Sequence, residues 1–292
     1  MKKKKHFDSE RVSFWPSKQE ILEKKNVLAV YIILRFFVLV ALVISAVRGN
    51  YENVFICVLV LFLFILPSIA KKALKIELPS TLEIIILIFI FAAEILGELQ
   101  CYYIHYAHWD TMLHTTTGFL CAAFGYSLIE LLNREQRFNI KLSPFYLALV
   151  AFCFSMTIGV LWEFFEFGMD RIFRTDMQKD TVVSFIASTL LDPTQSNVSY
   201  LIDNITEVTV NGQTLAINGY LDIGLLDTME DLFVNFIGAV VFSICGYIDA
   251  KRGHRSHFVR NFVPTVKEVS SEVEATESEK EKSLITSEGS SK

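Results

Sequence analysis

Residues 144–168 read PFYLALVAFCFSMTIGVLWEFFEFG, a run in which Glu163 and Glu166 are the only charged side chains. At about 1.5 Å per residue, this stretch is long enough to cross a hydrocarbon core of ~30 Å. It therefore reads as a transmembrane helix, and its two acids stand near one end. Gly159 before them and Asp170 after them share the same narrow arc of a helix turning about 100° per residue. Translocon-based scales put a central Asp in lipid at about +2.5 to +3.5 kcal/mol. A helix with such groups on one face needs neighbours to turn that face toward, so the stretch specifies both a membrane fold and a candidate site.

Five other apolar runs accompany it, at about 26–47, 54–70, 79–98, 109–132 and 228–248, in a chain of 292 residues that is 52% hydrophobic. The expectation is an all-α polytopic membrane protein with six transmembrane helices. The formal net charge of −5 hides a segregation of charge. Lys2 to Lys5, Lys24 and Lys25 precede the first run, and Lys71, Lys72 and Lys75 fill the second connection. Arg134, Arg137 and Lys141 fill the fourth, and Lys251, Arg252, Arg255 and Arg260 follow the last run. The first connection carries only Arg48, and the third, from Gln100 to His108, carries no Lys or Arg. Positive charge accumulates on the cytoplasmic side. This implies a multi-pass protein of a bacterial cytoplasmic membrane with both termini inside and the segment at about 171–227 outside.

The expected organisation is a cytoplasmic basic segment over 1–25, a membrane domain over 26–249 and a cytoplasmic tail over 250–292. The tail is rich in Ser and Glu and poor in aromatics, the composition of a disordered segment. A basic start followed by an apolar run resembles a secretory signal. Here the leader is too long and the run is a full span, so an uncleaved first helix is the better reading. The external segment is expected to be structured, a short helix plus a β-hairpin between helices 5 and 6. Thr181–Leu191 suggests the short amphipathic or re-entrant helix, with Asp180 as its cap and Pro193 beyond its end. Asn211-Gly212, flanked by Glu207–Val210 and Gln213–Ile217, is a strong hairpin signal. The five cysteines show no tight pairing, so no disulfide framework is expected. No basic groove interleaved with aromatics suggests nucleic acid.

In that orientation, polar stripes on four helices reach the outer half of the bilayer. On the fourth helix, Asp110 and His114 lie one turn apart, and Thr117, Cys121 and Gly125 continue the face. The sixth helix aligns Asp227, Asp231, Asn235 and Gly238, and the third adds Glu94 and Glu98 with Glu83 deeper. Candidate catalytic residues are Asp110, His114, Glu163, Glu166 and Asp231. Candidate metal ligands are His114, Glu163, Glu166, Asp227 and Asp231, with Glu94, Asp170 and Asn235 in support. Carboxylates crowded this way persist if some are protonated, if cations pair with them, or if a metal is bound. A mixed nitrogen and oxygen set suits Zn, Mn or Fe, and a set made mostly of carboxylates suits Mg or Ca. The cofactor expected is thus a divalent metal ion, Zn, Mn or Mg.

Plainer roles compete. Asp110 and Asp227 each open a helix and are followed by Thr, as N-caps often are, and Glu230 completes a capping box with Asp227. Asn235 can serve as interhelical glue beside Gly238. Asp231, Glu163 and His114 lie a turn or more inside their helices, deeper than capping explains. Arg35 is expected to pair with Glu83, which lies at similar depth.

The order Asp110-x3-His114, Glu163-x2-Glu166, Asp231-x3-Asn235-x2-Gly238 resembles the VanZ-like membrane proteins. The fuller form, with Trp109-Asp110, Trp162-Glu163-Phe164-Phe165-Glu166 and Asp227-Thr228, is similar to the YjdF-like branch of bacterial inner-membrane proteins. The resemblance spans roughly residues 94–247 and implies the architecture and the site more than a reaction. VanZ-like proteins have Gln where Glu166 stands and a much shorter segment before the last helix.

Three functions remain open from sequence. One is a metal-assisted enzyme acting on a lipid-linked or envelope precursor, with membrane lipids as partners. Another is a proton- or cation-coupled transporter, and the third is a non-catalytic membrane scaffold.

Overall fold

Backbone polar groups in lipid must be satisfied within the chain, and apolar runs of this length do so as helices. The computed structural model describes residues 24–73, 76–134 and 142–266. It is mostly helical, and four helical stretches are long and apolar enough to cross a membrane: Lys25–Val47, Tyr51–Ala73 (two helices with a break between them), Pro144–Phe173 and Leu225–Lys251. The lysine-rich start before residue 24 and the tail beyond residue 266 lie outside the described residues. The chain divides into two compact units, Met1–Gln100 and Cys101–Lys292.

The first unit comprises α1 (Lys25–Val47), α2 (Tyr51–Leu63), α3 (Leu66–Ala73) and α4 (Ser80–Ile90), which runs on as a π-helix over Phe91–Leu99. Val38, Cys57, Val60, Phe64, Leu87 and Ile95 form its core, while α1 turns Ile32, Ile33, Phe36, Phe37 and Val43 outward. The run expected as one helix over 54–70 is broken at Phe64-Ile65. Pro67 has no N–H with which to bond the Leu63 carbonyl, so the α2 ladder cannot pass through it. The third expected span changes pitch midway, and Gln100 N donates to Ile95 O at 3.0 Å, a bond across five residues.

Glu83, buried in the first turn of α4, is bridged by two lysines: Lys24 Nζ to Oε2 at 3.1 Å and Lys71 Nζ to Oε1 at 2.7 Å. Arg35 does not fill that role. Its guanidinium bonds the Tyr31 hydroxyl one turn away and stacks 5.4 Å from the Tyr31 ring centroid. The lysines win because one precedes α1 and the other lies in α3, and flexible stems let both ammonium groups reach Glu83.

The second unit holds α5 (Tyr102–His105), α6 (Trp109–Arg134), α7 (Pro144–Phe173), α8 (Leu225–Lys251) and α9 (His257–Arg260). Ser143 caps α7 by accepting from Tyr146 N at 3.2 Å, and Pro144 occupies the first turn, where its missing N–H is harmless. Ala122, Ala123 and Tyr126 from α6, Leu147 and Ala151 from α7, and Ala239 and Phe242 from α8 form the apolar core, closed by Val259 and Val263. Above that core the helices touch through glycine. A Cβ on Gly118 would lie 2.1 Å from the Asn235 carbonyl oxygen, and one on Gly238 would lie 2.1 Å from the Thr115 carbonyl oxygen. A Cβ on Gly159 would lie 2.7 Å from Asn235 Nδ2, and Ser155 Oγ donates to Gly118 O at 2.7 Å across the same junction. Small residues permit this backbone approach in a setting where lipid removes the hydrophobic drive for helix association.

Between α7 and α8 the chain forms three short antiparallel pairings. Thr181–Val183 pairs with Tyr220–Asp222, Ile186–Ser188 with Tyr200–Ile202, and Thr209–Val210 with Gln213–Thr214. The short helix expected over Thr181–Leu191 is replaced by two strands and a 3-10 turn, Thr189–Leu191. β-Branched Thr181, Val182 and Val183 favour extended backbone, and the partner strand 220–222 supplies pairing that local periodicity cannot reveal. The expected hairpin forms at Asn211-Gly212, with φ of 52° and 79°, as a tight hairpin turn requires.

Gly238→Ala is expected to lower the melting temperature of the detergent-solubilised protein, by an overpacking cost of about 1–3 kcal/mol. Gly168→Ala, where a Cβ meets nothing within 4 Å, should leave melting unchanged or raise it. Asp192 offers a pH test in the segment between α7 and α8. The Thr194 hydroxyl and backbone N–H, with the Ser196 and Val198 N–H groups, hold its carboxyl from 3.8 down to about 2. The ionised form therefore supports this loop above the ordinary value, and the support is lost as pH falls toward 2. Amide exchange at Thr194 and Ser196 should accelerate across that window, beyond the change at amides elsewhere in the segment.

Candidate functional site

α6 and α8 begin where α7 ends, so three helix termini converge. Asp110 lies in the first turn of α6 with His114 one turn on; Glu163 and Glu166 lie near the end of α7; Asp231 lies in the second turn of α8. Each helix places a site residue one turn from the glycine junction: His114 above Gly118, Glu163 beyond Gly159, Asp231 before Asn235. The close approach at that level holds the acids of three helices together.

Ligand atoms of Asp110, His114 and Asp231 lie within 4.8 Å of one another, as do those of Glu163, Glu166 and Asp231. His114 Nε2 is 3.5 Å from Asp110 Oδ1 and 3.6 Å from Asp231 Oδ2. Glu163 and Asp231 are only 4% and 3% exposed. Their Oε2 and Oδ2 atoms have no hydrogen-bond partner among the described residues, nor does Asn235 Oδ1. Glu163 and Glu166 have no ion pair among the described residues either. Buried acceptors in native structures are normally satisfied, so carboxylate oxygens without a partner in such a cluster call for a cation or protons.

Around these buried acids the pattern is inverted. Leu161, Trp162, Phe164, Phe165 and Phe167 are exposed on α7, and Met229, Phe233, Phe236 and Ile237 on α8. Apolar side chains face out and carboxylates face in, the arrangement expected where the surroundings are acyl chains.

The candidate residues separate by partner. Asp110, His114, Glu163, Glu166 and Asp231 come together. Asn235 lies one turn deeper, almost fully buried, its Nδ2 donating to Met156 Sδ at 3.6 Å. Asp227 stands beside the cluster, but its Oδ2 accepts from Lys179 N at 2.8 Å. It is not the helix cap: Gly224 takes the N-cap position, and Asp222 Oδ2 accepts from Leu226 N at 2.7 Å. Glu230 likewise makes no capping box and accepts from Thr111 Oγ1 at 3.3 Å. Asp110 follows Trp109 inside the first turn of its helix and faces His114. Asp170 is held by the turn after α7, accepting from Thr175 Oγ1 and Met177 N at 2.7 Å each and from Gln178 N at 2.9 Å. Glu94 belongs to the first unit, in the π-helical stretch.

Gln178 and Lys179 had no signal in the sequence. They lie in the turn after α7, yet Gln178 Nε2 donates to Thr228 Oγ1 at 2.6 Å, and Gln178 and Thr228 both flank Glu163. Gly118 was within reach, since it follows His114 by four residues. Thr117, expected on that face, bonds its hydroxyl back to Leu113 O at 3.0 Å.

The family described as "Predicted membrane protein (DUF2238)" matches residues 30–252, and the chain belongs to it. The chain is also similar to an "Uncharacterized protein" of Thermotoga maritima, 27% identical over 138 residues, 46% of this chain and 69% of the relative. No solved structure matches.

Asp170→Ala removes the acceptor of three hydrogen bonds at the mouth of the site, each worth about 1.5–3 kcal/mol when the acceptor is charged and less where water competes. Limited proteolysis within 171–180 should speed up markedly, while overall melting shifts little. Asp170→Asn should fall between that variant and the parent.

Proposed function

We propose that this DUF2238 membrane protein binds a divalent cation at Asp110, His114, Glu163, Glu166 and Asp231, and acts there on a lipid-linked or cell-envelope precursor. The carrying observation is the pair of buried, unpartnered carboxylate oxygens, Glu163 Oε2 and Asp231 Oδ2, among converging ligand atoms. One histidine nitrogen with several carboxylates suits Zn or Mn, and the carboxylates alone suit Mg. A bound cation would polarise a phosphoryl or acyl oxygen or activate water. Asp227 and the Gln178–Thr228 bond hold the turn after α7 beside the acid cluster. Asp110, the most exposed of the five, is positioned to pass a proton between His114 and solvent.

In this reading the chain crosses a bacterial cytoplasmic membrane six times with both termini inside. α6 and the α4–π run supply the two spans beyond the four apolar helices. The shared order of Asp110, His114, Glu163, Glu166, Asp231 and Asn235 supports a VanZ-like, YjdF-like placement within the family. A transporter would need a polar route onward from the acids. Beneath the glycine junction lie Ala122, Ala123, Ala151, Ala239 and Phe242, which favours a dead-end pocket over a channel. A scaffold role would not need five ligand-type side chains gathered around two buried carboxylate oxygens, Glu163 Oε2 and Asp231 Oδ2, that lack a partner among the described residues.

Purified protein should carry a divalent metal by elemental analysis, and after chelation should regain thermal stability on adding Zn, Mn or Mg. A ligand at one hundred times its Kd contributes about 2.7 kcal/mol. His114→Ala and Glu163→Gln should blunt that gain while keeping the helical signal. A well-ordered preparation with no metal and no thermal response to any of the three ions would defeat the proposal.

A further inference from the structure

Two ligand sets meet at one residue. Asp110, His114 and Asp231 form one triad, Glu163, Glu166 and Asp231 the other, and each keeps its ligand atoms within 4.8 Å of one another. Asp231 alone is common to both. It is 3% exposed, and its Oδ2 lacks a hydrogen-bond partner among the described residues. A carboxylate has two oxygens and can serve one cation with each. Glu163 Oε2 in the second triad is also buried and lacks a partner among the described residues, so the deficit extends from the shared residue into the all-carboxylate triad, while His114 Nε2 faces Asp110 and Asp231 at 3.5 and 3.6 Å in the other.

Charge is consistent with the same count when all four acids are ionised. When ionised, Asp110, Glu163, Glu166 and Asp231 carry four negative charges, and a neutral His114 adds none. One divalent ion would leave a net −2 within the helix bundle, whereas two leave the set neutral. Uncompensated charge at such a position is strongly disfavoured. Asp227 stays out of this tally of ligands because its Oδ2 is already held by the Lys179 amide.

We propose that the site is binuclear: Asp231 bridges two divalent cations, one completed by Asp110 and His114 and the other by Glu163 and Glu166. The inference rests on the cation-binding reading above. The two positions differ in kind. The first has a nitrogen donor and suits Zn, Mn or Fe, while the second is all oxygen and suits Mg, Mn or Ca. Mn suits both, which makes it the probe.

The test is to strip the full-length, detergent-solubilised protein with a chelator, titrate it with Mn(II) by calorimetry, and record electron paramagnetic resonance of the loaded form. The expected result is two Mn per chain with an exchange-coupled spectrum. His114→Ala and Glu166→Gln should each bind one Mn and show an uncoupled six-line signal. Asp231→Asn should weaken both ions. If that variant fails to fold, the two flanking variants still decide, with circular dichroism as the folding check. One Mn per chain in the parent overturns the binuclear assignment and leaves the cation reading standing. No Mn, with no response to Zn or Mg, overturns both. Two uncoupled Mn that persist in Glu166→Gln place the second ion elsewhere on the molecule and also overturn it.

Discussion

Everything in the second unit follows from how closely three backbones approach at Gly118, Gly159 and Gly238. At each, a methyl group would collide with the neighbouring helix, at 2.1 Å in two cases. In lipid, apolar side chains gain little by leaving one acyl environment for another, so shape and polar bonds hold helices together. Glycine provides the shape, and the Ser155 hydroxyl on the Gly118 carbonyl provides a bond. One turn from that junction stand His114, Glu163 and Asp231. Widening the junction by the thickness of a methyl group would separate the acids and dissolve the site.

The two units handle buried carboxylates in opposite ways. In the first, Glu83 sits at a helix N-terminus with an ammonium group on each oxygen, and the helix dipole adds to the compensation. The chain satisfies that acid with its own lysines. In the second, two carboxylates flank one imidazole and one of them also meets two glutamates, and Glu163 and Asp231 each retain an oxygen without a partner among the described residues. The contrast separates an acid that stabilises a fold from acids that await something the chain does not supply. The segment between α7 and α8 serves the same arrangement. Asp170 and Asp227 draw the backbone of residues 177–179 across the helix ends, bringing Gln178 beside Glu163.

Much of this was legible in the residues. Apolar length and helical spacing placed Glu163, Glu166, Asp231 and His114 on inward faces, because helical periodicity carries directional information without any knowledge of neighbours. The Asn211-Gly212 turn was equally readable, since its positive φ values select those residue types. Local pattern misleads where it competes with a distant partner. Thr181–Leu191 has the length of a helix, but Tyr220–Asp222 and Tyr200–Ile202 draw it into strands. Arg35 and Glu83 match in depth, but Lys24 and Lys71 reach the acid first. Asp227 sits where a cap belongs, but Asp222, five residues earlier, takes the bond.

By itself, then, the amino-acid order determined a polytopic helical membrane protein with acids on particular helix faces, because hydropathy and periodicity are properties of each segment alone. Only the tertiary structure decided that five of those side chains form two triads sharing Asp231, that Asp170 and Asp227 hold a loop, and which backbone atoms each glycine admits. Those outcomes depend on distances of a few ångströms between segments far apart in sequence, and such distances are set by packing, which no single segment encodes.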